Sequence, residues 1–143
     1  MQNQTLQLKN ESELLEVAAN FAKQLLPTLG SPCCTVFLHG DLGAGKTTFV
    51  RGFLQGLGYA EPVKSPTFTF VESYALSGKI IHHFDFYRIT DPELFELRGF
   101  RDYFINNSIC LIEWPSQGEG YLPKADISIF IEGVGEQRCL KIQ

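Results

Sequence analysis

The chain has 143 residues, of which 44% are hydrophobic, so it is long enough for one compact core and short for two. Its formal net charge of −4 argues against a protein that wraps nucleic acid unaided, because binding to a phosphate backbone depends on clustered Lys and Arg. We therefore expect a single domain over residues 1–143, and we expect a partner to hold any RNA that is involved.

A membrane span and a zinc site are also disfavoured. The apolar stretches are far shorter than a membrane span, and the N-terminus lacks a basic region followed by an apolar segment, so we expect a cytoplasmic protein without membrane association. A zinc site is not expected, because the cysteines show no C-x-x-C spacing and the chain has three histidines. These residues are Cys33, Cys34, Cys110 and Cys139, with His39, His82 and His83.

The first predicted elements are a strand and a helix. Thr5–Leu8 alternates like a short edge strand, and Asn10 and Glu13 have the spacing of a capping box that starts a helix. Pro27 predicts its end. One apolar stripe should cover a face of the sheet, formed by Leu14, Ala18, Phe21 and Leu25.

A phosphate-binding P-loop follows, with the complete G-x-x-x-x-G-K-S/T spacing. Its glycines allow several backbone N–H groups to point into one concavity that suits a triphosphate. Lys46 should reach the β and γ phosphates, and the Thr47 hydroxyl is placed to ligate Mg²⁺. The stretch reads Gly40-Asp41-Leu42-Gly43-Ala44-Gly45-Lys46-Thr47.

The flanks of this loop decide whether the match is meaningful. Thr35–His39 is typical of a buried strand, and the apolar spacing after the loop predicts a helix that Gly58 ends. Gly52 and Gly56 lower the helix propensity, which we attribute to close packing on the sheet. The alternative is a glycine-rich surface turn with a solvated Lys46, and a strand and a helix in the right places disfavour it.

A hydroxyl-rich segment, Val63–Thr69, comes next. Such a loop, which includes Thr67, can order around a γ-phosphate and its metal, although an ordinary turn explains its composition equally well. Two strands are then predicted, Phe68–Tyr74 and Ile80–Tyr87, joined by a turn at Leu76–Lys79.

The second of these strands carries a candidate acid. Side chains alternate along a strand, so His83, Asp85 and Tyr87 should share one face. A carboxylate among aromatic residues needs a neutralising partner, and metal-bound water beside a P-loop would provide one, so Asp85 is our candidate for coordinating that water or for orienting the attacking water. The alternative is a buried Asp85 paired with Arg88 or His83. His83 is a secondary candidate.

The third cluster lies near residue 113. Four apolar residues, Ile109–Ile112, precede Glu113, as in a buried Walker-B-type strand that delivers a carboxylate at its C-terminal end, and Glu113 should lie beside Mg²⁺. Trp114 either stacks near the nucleotide or fills the core. A closing hairpin is predicted from Ile127–Ile131 and Arg138–Ile142, with its turn at residues 133–135.

These stretches together resemble the bacterial TsaE (YjeE) family, over nearly the whole chain. The P-loop is generic, but its combination in this order with the other stretches is specific. Phe68 and Phe86 stand where relatives often have Tyr and Leu. The matching stretches are residues 40–48, Lys64–Thr69, His83–Arg88 and Ile112–Pro115.

The resemblance implies a fold and an activity. The fold is α/β, a single P-loop NTPase-like domain with a mixed, mainly parallel central sheet flanked by helices. The implied activity is MgATP hydrolysis in partnership with the subunits TsaB and TsaD. Slow turnover by the chain alone and stimulation by these partners are expected because the sequence shows no obvious arginine finger. These subunits carry the threonylcarbamoyl transfer onto adenosine 37 of ANN-decoding tRNAs, so tRNA would be met only through them. We expect a monomer when the chain is free.

The resemblance also implies site residues. The catalytic residues would be Lys46, Asp85 and Glu113, and the Mg²⁺ ligands Thr47 and Glu113. The nucleotide would be held by Asp41, Leu42, Gly43, Ala44, Gly45, Lys46, Thr47, Thr48, Thr67, Asp85 and Trp114.

Two other functions use the same loop. A small-molecule kinase would position the same phosphates for transfer to an acceptor, but it should show an Arg-rich lid, and the 12 Lys and Arg residues are scattered. A nucleotide-gated binding module would act by changing shape with little turnover. GTP is disfavoured because no Asn-Lys-x-Asp signature occurs.

Overall fold

The computed structural model of the chain describes residues 3–28, 33–105 and 107–143. Within these ranges the helices are α1 (Glu11–Leu25), α2 (Lys46–Gly56) and the short α3 (Leu94–Leu97), and 3₁₀ turns cover Leu26–Thr28, Phe100–Tyr103 and Pro115–Gly118. The strands are β1 (Gln4–Leu8), β2 (Cys34–His39), β3 (Val71–Leu76), β4 (Lys79–Asp85), β5 (Ser108–Glu113), β6 (Ile127–Val134) and β7 (Gln137–Ile142).

The strands form one sheet in the order β1-β7-β6-β2-β5-β4-β3. Its centre is parallel, because β2 pairs in parallel with both β5 and β6, and β5 pairs in parallel with β4. Antiparallel pairs close both edges, β3 on β4 on one side and β6, β7 and β1 on the other. The predicted mixed, mainly parallel sheet of an α/β fold is confirmed.

Helices α1 and α2 cover one face of the sheet. The side chain of Asn10 accepts a hydrogen bond of 3.0 Å from the N–H of Glu13, as predicted, whereas the Glu13 carboxylate bonds to the N–H of Lys9 rather than to that of Asn10. The predicted apolar stripe of α1 is buried against α2 and the sheet.

The two glycines of α2 face α1, so the predicted packing on the sheet is wrong. A Cβ atom on Gly52 would lie 2.6 Å from the carbonyl oxygen of Leu15, and one on Gly56 would lie 2.5 Å from that of Ala19. Close approach of two helix backbones therefore requires these glycines.

The hairpin of β3 and β4 is shorter than predicted. Phe70 has a φ of +68° and donates its N–H to the carbonyl of Pro66, so the strand begins at Val71 and not at Phe68. At the other end, the N–H of Tyr87 bonds to the Asp85 side chain instead of a neighbouring strand, so β4 ends at Asp85. The aromatic composition predicted strand at both places. Local hydrogen bonds of the Phe70 and Tyr87 N–H groups take the place of pairing with a neighbouring strand there.

The closing hairpin is longer than predicted. Gly133 and Val134 pair with Arg138 and Gln137, so they belong to the strands, and the turn lies at residues 135–136 instead of 133–135.

Buried side chains form a cluster on each face of the sheet. The helix-side cluster includes Phe21, Phe49 and Phe53 beneath α1 and α2. On the opposite face, phenylalanines including Phe84 and Phe86 pack beside β4 and β5. Within the described residues, no helix has the length and apolar character needed to cross a bilayer.

Candidate functional site

The P-loop connects the end of β2 to the start of α2. Gly43 and Gly45 have φ angles of +79° and +117°, which side-chain-bearing residues rarely adopt. A Cβ atom on Gly43 would meet no atom within 4 Å, so this side of the loop is open. The first N–H groups of α2 lack acceptors within the helix and are available to an anion.

The open side of the loop lines a cavity of about 470 Å³, which also borders the C-terminal ends of β4 and β5. Ligand sites in parallel α/β sheets lie at this edge. Most of the predicted site residues line the cavity: Leu42, Gly43, Gly45, Lys46, Thr47, Thr48, Thr67, Asp85, Glu113 and Trp114.

Two predicted residues lie elsewhere. Asp41 and Ala44 line a second cavity, of about 460 Å³, on the other side of the loop together with Gly40, Leu42 and Gly43. Asp41 and Ala44 do not line the first cavity, so their contact with a nucleotide stays a prediction.

Lys46 is buried between the loop and the aromatic wall of the cavity. Its Nζ donates a hydrogen bond of 2.5 Å to the carbonyl of Gly40 and lies 3.4 Å from the centroid of the Trp114 ring. Burial lowers the pKa of the ammonium, and the negative charges of Glu113, Asp85 and Asp41 act in the opposite direction. A buried cation of this kind favours an anionic ligand beside it.

Thr47 and Glu113 meet inside the cavity. The Thr47 hydroxyl donates to the Glu113 carboxylate, with Oγ1 lying 3.0 Å from Oε2 and 3.2 Å from Oε1. His83, on β4, lies on the other side of Glu113, with its Nε2 atom 2.6 Å from Oε2. The three side chains come from α2, β5 and β4, and only the pairing of the strands brings them together.

Asp85 lies on the same face as His83, as predicted, and borders the cavity. Burial and the nearby Glu113 carboxylate raise its pKa, while a hydrogen bond of 3.0 Å from the N–H of Tyr87 acts to lower it. No ion pair joins Asp85 to Arg88 or His83 in the described ranges, so the alternative of a structural ion pair receives no support. Its carboxylate faces the cavity.

Trp114 lines the site at the end of β5. Its φ of +57° turns the chain immediately after Glu113, and its ring lies 4.9 Å from that of Tyr87. The ring also packs against the phenylalanine cluster of the opposite face. One side of the tryptophan ring therefore closes the core, as one of the two alternatives predicted, and the other contacts Lys46. Stacking of this ring near a nucleotide stays a prediction.

The hydroxyl-rich segment borders the same cavity. Ser65 and Thr67 line it, and their hydroxyl oxygens lie 3.0 Å apart. Phe68 is 79% exposed at the surface, with the Arg88 guanidinium 5.0 Å from its ring centroid. The position of the segment suits a response to a γ-phosphate, which stays a prediction.

Sequence reasoning missed one wall of the cavity. Glu11 and Leu14 of α1 and Arg138 of β7 line it at the start of α2. No local motif marks these residues, because α1 and β7 reach the P-loop only through packing.

The donor set of the site fits Mg²⁺ and a phosphate chain. Thr47 and Glu113 offer oxygen atoms, the ligands that Mg²⁺ prefers, and Mg²⁺ is usually bound through one or two carboxylates plus substrate phosphates. Across the described ranges, no group of three or more His, Cys, Asp and Glu side chains could hold a metal ion by itself. Thr47 and Glu113 would leave most of the coordination of a magnesium ion to phosphate oxygens and water.

Comparisons with known proteins point to one family. The sequence model described as "Threonylcarbamoyl adenosine biosynthesis protein TsaE" matches residues 8–140. A Haemophilus influenzae protein named "tRNA threonylcarbamoyladenosine biosynthesis protein TsaE" is 47% identical over 142 residues, which cover 99% of this chain and 90% of that protein. A Bacillus subtilis protein of the same name is 39% identical over 113 residues, which cover 79% of this chain and 70% of that protein.

A solved structure has the same fold. The crystal structure of Bacillus subtilis YdiB superposes with a TM-score of 0.77 at 30% identity, covering 99% of this chain and 84% of that one.

Proposed function

The chain belongs to the TsaE family, and from that premise we propose that it binds and hydrolyses MgATP as an accessory protein of tRNA threonylcarbamoyladenosine synthesis. It acts in the cytoplasm, as a monomer when free, with TsaB and TsaD as partners that hold the tRNA during modification of position 37 in ANN-decoding tRNAs. The names of its relatives support a role in this pathway. The cavity beside the P-loop supports the proposal that the chain binds a nucleotide.

Each residue has a role that its position supports. Lys46 balances the charge of the β and γ phosphates, and the N–H groups of the P-loop and of the first turn of α2 hold their oxygens. Thr47 and Glu113 hold Mg²⁺, which when bound neutralises charge on the phosphate oxygens. Asp85 accepts a hydrogen bond from the attacking water and orients it.

One observation carries this proposal. The Thr47 hydroxyl and the Glu113 carboxylate, 66 residues apart in the chain, lie within 3.0 Å of each other beside Lys46 in one cavity. A glycine-rich surface turn would not place a carboxylate from the neighbouring strand against the hydroxyl that follows its lysine.

Turnover by the isolated chain should be slow. Among the described residues, two arginines border the cavity, and both are engaged: Arg88 lies over the Phe68 ring, and Arg138 donates to the carbonyls of Gly135 and Gln137. P-loop proteins without an arginine directed at the γ-phosphate hydrolyse slowly, and a partner often supplies the missing charge. Stimulation by TsaB and TsaD follows from this reasoning.

Phosphate release with and without TsaB and TsaD tests the proposal. We expect slow release by the chain alone and at least tenfold faster release with both partners. Lys46→Ala should weaken ATP binding, and Glu113→Gln should lower turnover by about 100-fold with ADP binding retained in EDTA.

Fast turnover without partners would contradict the partner-dependent function, whereas phosphorylation of a small acceptor would indicate a kinase. Nucleotide binding without any turnover would indicate a gated binding module.

A further inference from the structure

His83 occupies an unusual position for a histidine. It lies in β4 opposite Leu111 of β5, its side chain is 0% exposed, and it follows Ile81 on the helix-side face of the sheet. The buried core residues around it, such as Ile81, Phe84 and Leu111, are aliphatic or aromatic. A histidine here places polar atoms in the interior, which costs free energy unless a partner compensates.

Only one of its two ring nitrogens has such a partner. Nε2 lies 2.6 Å from Glu113 Oε2, whereas Nδ1 is buried without a hydrogen-bond partner among the described residues. A carboxylate oxygen accepts, so we assign a proton to Nε2, which then donates to Glu113. The ring is thus oriented by a single bond, and that bond ends on a residue of the site.

Two donors therefore fix one carboxylate. Thr47 donates to Glu113 from the P-loop side and His83 donates from the β4 side. A glutamate side chain has considerable rotamer freedom, and two bonds from different elements, both reaching Oε2, restrict it. Because the Thr47 hydrogen points at Glu113, the lone pairs of the Thr47 oxygen are left for a cation.

We propose that His83 is a positioning residue, which holds the Glu113 carboxylate in the orientation that binds Mg²⁺ together with the nucleotide. The inference rests on the proposed function, because it concerns the same site. His83 is not among the described residues that line the cavity, so it acts on the bound ligands only through Glu113. Hydrogen-bond partners of metal-binding carboxylates typically change metal affinity by 10- to 100-fold when removed, which sets the size of the expected effect.

The test is a calorimetric titration of ADP into the chain at a series of MgCl₂ concentrations and in EDTA. His83→Leu should raise the Mg²⁺ concentration for half-maximal enhancement of ADP affinity by about tenfold, with the affinity in EDTA changed less than twofold. His83→Gln carries an amide N–H that reaches the place of Nε2, so it should restore the Mg²⁺ dependence to within about threefold of the natural chain.

The matched control is His82→Leu. His82 is the next residue of β4, also buried, but it faces the opposite side of the sheet, and its Nδ1 lies 2.6 Å from the Ser73 hydroxyl. Removing it disturbs the same strand without touching Glu113. We expect it to lower the melting temperature and to leave the Mg²⁺ dependence unchanged.

Four outcomes overturn the proposal. The first is an unchanged Mg²⁺ dependence in His83→Leu. The second is a loss of ADP affinity in this variant that is as large in EDTA as with Mg²⁺, which would indicate a purely structural role. If His83→Leu does not fold, His83→Gln and His83→Asn decide, because the shorter amide cannot reach Glu113, and equal Mg²⁺ dependence in both refutes the idea. Absence of MgADP binding by the natural chain overturns the proposed function itself, and this inference with it.

Discussion

Burial of single polar residues in the cavity changes their pKa values. Lys46 and Asp85 lie in one cavity with pKa values displaced towards each other, because desolvation disfavours the charged form of both. Groups displaced in this way are typical of functional sites, where a ligand later compensates the cost. The cost is therefore visible as lost stability of the ligand-free protein.

Asp85 offers the test of that cost. Its pKa is raised in the folded protein, mainly by burial, so its contribution to stability is fully present below the unfolded pKa and is lost as the pH rises through the folded pKa. Asp85→Asn should therefore raise the melting temperature at pH 7 by on the order of 1 to 3 °C, with a gain that shrinks as the pH is lowered. The same variant should lose about 100-fold in phosphate release.

The matched control for this variant is Asp102→Asn, because Asp102 is exposed. It should leave both the melting temperature and turnover unchanged. A lower melting temperature of Asp85→Asn at pH 7 would show that the carboxylate stabilises the fold, and unchanged hydrolysis would remove Asp85 from the reaction.

Cys33, which directly precedes β2, and Cys34, its first residue, differ in the pKa of their thiols although they are adjacent. The Sγ atoms of Cys33 and Cys110 lie 3.6 Å apart, and the hydrogen bond from Cys110 lowers the pKa of Cys33 to about 6. Burial raises the pKa of Cys34 to about 12. We predict that alkylation of Cys33 by iodoacetamide rises through a midpoint near pH 6, while Cys34 stays unmodified, as measured by peptide mass spectrometry.

Cys110→Ala removes the donor and should move the midpoint of Cys33 alkylation towards the ordinary thiol value of about 8.5. A midpoint already near that value in the natural chain would contradict the assignment of the hydrogen bond.

At the scale of elements, the site depends on the contact between α1 and α2. Helix α2 presents its N-terminus to the cavity, and α1 fixes its position through backbone approach at Gly52 and Gly56. The first turn of α1 also borders the cavity. The helix pair thus serves the core and the P-loop at once.

Gly52→Ala tests this contact. The added Cβ would meet the Leu15 carbonyl at 2.6 Å and the Ala18 Cβ at 2.9 Å, so the helices must separate. We expect a loss of about 1 to 3 kcal/mol in the free energy of unfolding, despite the better helix propensity of alanine, measured by urea denaturation. Gln55→Ala, at an exposed position of the same helix, should change it by less than about 0.5 kcal/mol. If Gly52→Ala and Gln55→Ala changed the free energy of unfolding equally, the contact between α1 and α2 at Gly52 would not contribute to stability.

At the scale of the whole molecule, the cavity joins stretches that are distant in sequence. The P-loop after β2, the end of β4 and the end of β5 meet there because these three strands are neighbours in the parallel centre of the sheet. A ligand that bridges them should stabilise the entire fold, since it binds the folded chain and not the unfolded one.

MgADP should therefore raise the melting temperature. At 100 times its dissociation constant, it adds about 2.7 kcal/mol to the free energy of unfolding, on the order of 5 to 10 °C for a domain of this size. Differential scanning calorimetry measures the shift, which should be largely lost in Lys46→Ala. An equal shift in that variant would place the nucleotide away from the P-loop.

Much of this fold and of its site could be predicted from local patterns in the sequence. The P-loop, its flanking strand and helix, and the buried strand ending in Glu113 are encoded locally, since spacing and glycine placement depend on residues close in the chain. The family resemblance also followed from these motifs, and that resemblance implied the α/β class. The ends of β3 and β4 did not, because hydrogen bonds of Phe70 and Tyr87 interrupt a composition typical of strands.

Only the tertiary structure decided which distant groups meet. Nothing near His83 in sequence shows that its ring bonds Glu113, and nothing near Gly52 shows that it packs on α1 instead of the sheet. Strand order and register set these contacts, and both follow from how the whole core packs, since a strand's pattern gives its buried face but not its neighbour.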